Sequence, residues 1–173
     1  MNPRDKKIQI ASFSDTTVIG INSSLPDYKL AWSINNKLSI DLVRYDDLEF
    51  EGTAFSFFYY TAGENYNVYN LVSLVRTDKV LYSFNPRLDY LFLIQNSLTA
   101  ERRLSLIQSI RATEGVVHAF LLEKDKTMRQ VLETIGDCEQ RMIDKKKKLN
   151  NLSEVRKRMR EEEALQAQLR ENL

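Results

Sequence analysis

Thiol chemistry would have to be assembled from the single histidine, His118, and the single cysteine, Cys138. An imidazole activates a thiol only within hydrogen-bond reach. His118 follows Val116 and Val117 in strand-like sequence, and Cys138 lies farther along in helical sequence that would have to return to the sheet. A surface or hydrogen-bonded histidine and an apolar seam cysteine are the commoner states, so no nucleophile is assigned. One cysteine closes no intramolecular disulfide, and one histidine does not seed a zinc site. The carboxylates Asp41, Asp46, Asp47, Glu49 and Glu51 concentrate oxygen ligands, but they lack the spaced acidic loop and central glycine of a calcium site. Solvated turn and strand residues are expected there. Of Gly20, Gly52, Gly63, Gly115 and Gly136, no two lie close enough to cradle a phosphate. No catalytic residue, cofactor or metal ligand is assigned, and the chain reads as non-enzymatic.

Three further features carry chemistry of another kind. Asp27, Tyr28, Lys29 and Trp32 open a helix, where a large aromatic can form a recognition patch. The simpler expectation is that Tyr28 and Trp32, four residues apart, stack into the core beside Leu30 and Ile34. Asp89, among strand formers in Leu88-Asp89-Tyr90-Leu91, must find solvent or a donor. An edge position or a salt bridge to Arg87 would suffice. The tract Lys145, Lys146, Lys147 and Lys148, followed by Arg156, Lys157, Arg158 and Arg160, could neutralise phosphates. Glu154 and Glu161 to Glu163 answer much of that charge, and no aromatic occurs in 124–173 to stack on bases.

Elements that position these groups follow from hydropathy and turn chemistry. Runs at Ile8 to Phe13 and Thr16 to Ile21 predict one strand or a bent pair. Helical spacing predicts a first helix over about 26–38, with Ser24 or Asp27 as its cap. Strand-like segments follow at Ile40 to Tyr45, Ala54 to Thr61, Asn67 to Arg76, Lys79 to Phe84 and Leu88 to Gln95, with turns at Gly63-Glu64-Asn65 and Thr77-Asp78. A second helix begins after Thr99, presents Leu104, Ile107, Ile110 and Leu106 inward, and ends at Gly115. A last strand spans Val116 to Leu122. This order predicts an α+β fold, a ferredoxin-like antiparallel sheet with an enlarged meander and both helices on one face.

Near Lys124 the texture changes. Met128, Ile135, Met142 and Leu149 recur every seven residues, with Val131, Cys138, Lys145 and Leu152 three later. So narrow a seam suits a helical hairpin or coiled coil. Two parts are expected: a sandwich domain over 1–123 and a helical, coiled-coil-like arm over 124–173, with a break near Asn150 permitting it to fold back. Residues 1–123 hold 12 Lys+Arg against 14 Asp+Glu, and 124–173 hold 13 against 10, a modest asymmetry hidden by the overall +1. Nothing after Met1 resembles a leader, and no run approaches the roughly eighteen apolar residues of a membrane span. A cytoplasmic location without membrane contact is expected.

The run Val18-Ile19-Gly20-Ile21, then Leu25-Pro26-Asp27-Tyr28-Lys29-Leu30-Ala31-Trp32-Ser33-Ile34-Asn35, resembles the opening of the IPExxxVDY family of bacterial proteins. Asp46-Asp47-Leu48, the aromatic strand Phe55 to Tyr60, Asp89-Tyr90-Leu91-Phe92-Leu93-Ile94 and Gly115-Val116 are similar to its later landmarks, so the resemblance spans about 16–123. The name motif departs from pattern: Phe84-Asn85-Pro86-Arg87-Leu88-Asp89-Tyr90 keeps Pro and Asp-Tyr, shortens the spacing and has Arg for Glu. The resemblance implies a domain boundary and no activity, and it leaves the arm outside the family's usual extent.

The function expected is that of an interaction or adaptor module. Met128, Val131, Ile135, Met142, Leu149 and Leu152 would bind a protein partner or a second copy. The alternative is an RNA- or ribonucleoprotein-associated protein using Lys145 to Lys148. An enzyme with a cleft around Asp27, Trp32, Tyr60 and Asp89 has no assignable acid, base and nucleophile.

Overall fold

The structure is a computed structural model that describes residues 15–63, 67–95 and 98–171; for residues 127, 139, 142, 143, 146, 147 and 161–171 it describes the backbone alone. It is mixed α and β, with antiparallel sheets. The elements are β1 (Thr17–Ser23), α1 (Asp27–Leu38), β2 (Val43–Arg44), β3 (Leu48–Phe50), β4 (Thr53–Phe55), β5 (Phe57–Thr61), β6 (Val68–Ser73), β7 (Val75–Arg76), β8 (Lys79–Val80), β9 (Tyr90–Gln95), α2 (Ala100–Arg111), β10 (Val116–Leu121) and α3 (Lys126–Glu171). The expected strand at Ile8 to Phe13 and the turn residues Glu64 and Asn65 lie outside the described residues.

Six strands form one sheet in the order β10-β1-β9-β6-β5-β2, and β3-β4 and β7-β8 form separate two-stranded ribbons. The pairings are antiparallel, with Ile19 opposite both Phe92 and Leu121. Alternation along β1 and β9 sends Ile19, Ile21, Phe92 and Ile94 to one face, where they form a core with Leu30, Ala31 and Ile34 of α1 and Leu106, Ile107 and Ile110 of α2. Both helices therefore cover that face. Val18, Leu91 and Leu93, at the alternate positions, are buried as well. The central strands are thus covered on both sides, which accounts for their nearly continuous apolar sequence.

Several boundaries differ from expectation, each for a local reason. Ala54 to Thr61 is two strands rather than one, because Ser56 interrupts the run and β4 turns away to pair with β3. Asn67 to Arg76 divides in the same way into β6 and β7. Leu104 is exposed on α2 and Leu106 takes the buried place, since the inward stripe runs through Leu106, Ile107 and Ile110. Thr99 caps α2 by accepting from the Arg102 N–H at 3.3 Å. The helix closes at Ala112, and Gly115 adopts its left-handed φ of 83° in the turn beyond.

The chain divides into two compact units, the first ending at Gly136 and the second being Asp137–Leu173. The first unit therefore runs past residue 123 and ends within α3. Met128, Val131, Leu132 and Ile135 are buried at one-turn spacing and belong to the first unit. The expected break at Asn150 is absent: α3 is continuous from Lys126 to Glu171. Asn150 and Asn151 lower helix propensity without a proline's loss of a donor, a cost of only tenths of a kcal/mol. No helix among the described residues is long and apolar enough to cross a membrane.

Candidate functional site

The first turn of α1 brings Asp27 together with Arg44, Ser56 and, through Arg44, Asp47. The helix starts after Pro26, which offers no side-chain cap, so neither Ser24 nor Asp27 acts as one. Asp27 is instead the first helical residue, a favourable place for a negative charge. Its carboxylate accepts from the Tyr28 N–H at 2.7 Å, the Arg44 guanidinium at 3.0 Å and the buried Ser56 hydroxyl. Arg44 also reaches Asp47 at 2.7 Å and lies 5.8 Å from the Phe58 ring centre. Partial burial pushes the Asp27 carboxyl up, but the Ser56 bond, the Tyr28 N–H and Arg44 outweigh it and hold it below the ordinary value. Arg44 is held above its ordinary value, because its bonds and charge pairing with Asp47 and Asp27 outweigh burial.

A second carboxylate closes the other side of this loop. Asp89 accepts from the Asn22 amide at 2.9 Å and the Ser23 N–H at 3.0 Å, with Arg87 more distant at 3.7 Å. The expected salt bridge to Arg87 is present, but Asp89 is not at an edge: it directly precedes the central strand β9, and Asn22 and Ser23 of β1 meet it at shorter range. Tyr90 donates its hydroxyl to the Leu25 carbonyl at 2.9 Å. Burial, then the charges of Asp27 and Asp89, push the Tyr90 hydroxyl up to about 12. Ser23 and Ser24 tie the loop to Gly115 by hydrogen bonds to its carbonyl at 2.8 Å and 3.1 Å. The groups of this loop hold one another, an arrangement that fixes the entry into α1 rather than presenting a reactive atom.

Tyr28 and Trp32 do not pack into the core. They are 60% and 68% exposed. The buried stripe Leu30, Ala31 and Ile34 turns positions 28 and 32 outward at about 100° per residue. His118 is exposed on β10 opposite Asn22, and Cys138 is buried with Arg141 Nη2 at 3.0 Å from its sulfur. Among the described residues, no three His, Cys, Asp or Glu side chains gather as a metal site. The Asn70 amide nitrogen, buried in β6, has no partner among the described residues, although its oxygen accepts from Gln95 at 3.2 Å.

The residues expected to bind a partner separate into two sets. Met128, Val131 and Ile135 are buried in the first unit and are not a bare seam. Their spacing reflects intramolecular packing, a signal that a heptad pattern shares with any amphipathic helix. Leu149 and Leu152 are exposed, and so are Val155 and Met159, all four between 52% and 57%. The side chains of Met142, Lys146 and Lys147 lie outside the described residues. Lys145 and Lys148 are exposed. Leu149, Leu152, Ser153, Arg156, Lys157 and Arg160 line one shallow surface depression. Val155 and Met159 continue the helical apolar spacing into the charged block Arg156 to Glu163, whose charges mask them as a surface in the sequence. No family model, curated protein or solved structure matches the chain.

Proposed function

We propose that this protein is a non-enzymatic interaction module, an α+β body whose last helix docks onto another protein or a second copy through its distal half. The observation that carries this reading is the exposed row Leu149, Leu152, Val155 and Met159 on α3. Four large apolar side chains on one side of a polar helix are an incomplete packing surface. Burying each contributes roughly 1.5–3 kcal/mol, enough in register to offset the ordering of a docked helix. Helix-on-helix packing of the coiled-coil kind is the geometry that such a row suits.

Several finer readings accompany it. The strand order β10-β1-β9-β6, with α1 and α2 on one face, supports a ferredoxin-like arrangement enlarged by β5 and β2. Membership of the IPExxxVDY family, and with it a bacterial origin, rests on the sequence landmarks alone. The RNA-associated reading uses exposed Lys145 and Lys148 but leaves the four apolar side chains without a role.

The test uses the full chain, because removing everything after Glu123 would also remove the buried Met128, Val131 and Ile135. Sedimentation at increasing concentration, alone and with a panel of helical peptides, should give a larger species that Leu149→Asp with Leu152→Asp abolishes. A chain that stays monomeric against every probe, or a complex indifferent to the two substitutions, would overturn the proposal.

A further inference from the structure

Between Lys145 and Arg160 the exposed face of α3 is both apolar and basic, and we infer that its partner is an acidic amphipathic helix of another protein; this inference rests on the docking reading above. Between Lys145 and Arg160 the sequence holds eight basic residues and one acidic residue. At 3.6 residues per turn, Leu149, Leu152, Val155 and Met159 fall within an arc of about 120°. Lys145, Lys148 and Arg156 lie inside the same arc, and Arg160 lies at its margin. Glu154, the one acidic residue of this span, lies on the opposite side; Asp144 directly precedes the span and Glu161 to Glu163 directly follow it. These apolar residues and cations are all exposed, and Arg156 and Arg160 share the surface depression of Leu149 and Leu152. Any partner that covers the apolar row must also meet these cations.

Self-pairing does not supply that complement. In a parallel pair each cation meets its own copy, and antiparallel pairing across the same span sets Lys145 against Arg160. Sliding the antiparallel copy until Arg156 meets Glu162 sets Met159 on its own copy but Val155 against Glu163 and Lys148 against Arg170, so charge and apolar contact are not satisfied together. An anionic bilayer meets the charge, but residues 124–173 contain no aromatic side chain to anchor at the interface, and Arg156 inside the apolar arc opposes deep insertion. Nucleic acid also meets the charge, yet phosphate contacts make no use of the leucines. A helix with its own leucine row flanked by glutamates answers both features. Its carboxylates meet the lysine and arginine heads while the stems of those side chains extend the apolar contact.

The experiment titrates the full-length chain with a synthetic helical peptide carrying leucine at the first and fourth positions of each heptad and glutamate at the flanking positions. Polyglutamate of equal charge, the same peptide with serine for leucine, a single-stranded RNA and phosphatidylcholine–phosphatidylglycerol vesicles serve as competitors. The inference expects saturable binding to the leucine–glutamate peptide, weakened at least tenfold by Leu152→Asp, and by Arg156→Glu with Arg160→Glu, with circular dichroism unchanged. Equal binding of polyglutamate or the serine peptide, tighter binding of RNA or vesicles, or no binding to the leucine–glutamate peptide overturns it. If that peptide fails while the chain self-associates through Leu152 in sedimentation, the docking reading stands and the acidic-helix inference falls. If neither form of association occurs, both fall.

Discussion

The Ser56 hydroxyl and the Arg44 guanidinium donate to the same oxygen of Asp27, so the residue that splits a predicted strand in two also holds the first turn of α1. The bond links the gap between β4 and β5 to a helix start 29 residues away in sequence.

Replacing Asp27 by Ala should cost about 1–3 kcal/mol, because the buried Ser56 hydroxyl loses its acceptor while the half-exposed Arg44 returns partly to water. The Asp27 carboxyl is held below its ordinary value of 3.8, so its contribution is present above that value and fades as pH falls through the lower, folded one. Urea unfolding between pH 7 and pH 2 should therefore show a shallower acid loss in Asp27→Asn than in the parent. Parallel curves would refute the assigned role.

Tyr90 makes the opposite prediction at alkaline pH. Its hydroxyl is raised from 10.0 to about 12, so the folded state holds the proton more tightly than the unfolded chain. That stability is complete below about pH 10 and is lost as pH rises towards 12. Tyr90→Phe removes the bond to the Leu25 carbonyl, at about 1 kcal/mol, and should also flatten the parent's alkaline loss. Denaturant midpoints measured from pH 8 to pH 12 for both proteins provide the check.

What sequence could reveal was set by periodicity. α1, α2 and the central strands carry strong local patterns, and Thr99 and the stripe Ile107 and Ile110 were found where capping and spacing place them. The bounds of short elements were not legible: β2 and β8 occupy only two residues each of the expected Ile40 to Tyr45 and Lys79 to Phe84, β7 was joined to β6, and β3, at three residues too short to express an alternation, was not anticipated. Pairing across distance was also hidden. Nothing local to Asp27 indicates Ser56, and nothing local to Asp89 indicates Asn22. In α3 the apolar spacing was visible, but spacing alone does not distinguish Ile135, buried by its own chain, from exposed Leu149.

Gly115 should tolerate no side chain. Its φ is 83°, and a Cβ there would come within 2.5 Å of Leu25 Cγ, in the segment whose serines bind its carbonyl. Gly115→Ala combines left-handed strain with a clash and should destabilise by about 1–3 kcal/mol. Gly52 has a similar φ of 73° with open space around it, so Gly52→Ala isolates the backbone cost and should lose less. Equal losses in thermal unfolding would show that the Leu25 contact is unimportant.

The outward aromatic on α1 is separable from the core beneath it. Trp32→Ala should shift stability by no more than about 0.5 kcal/mol, as expected of exposed positions. Ile34→Ala, two residues on, removes a fully buried side chain and should cost about 2–5 kcal/mol. A large loss from Trp32→Ala would place the indole in contact with another surface in solution, detectable as a blue-shifted fluorescence in the parent.

Within α3 the same contrast separates folding from docking. Ile135 is buried in the first unit, so Ile135→Ala should lower stability by about 2–5 kcal/mol whether or not a partner is present. Leu152 is 55% exposed, so Leu152→Asp should leave the isolated chain within about 0.5 kcal/mol of the parent. Its effect should emerge only where a complex forms, as a loss of the larger species in sedimentation and of any stabilisation that the complex confers. If instead Leu152→Asp destabilises the dilute, monomeric chain as much as Ile135→Ala does, the distal row is already covered by the protein itself and is not available for docking.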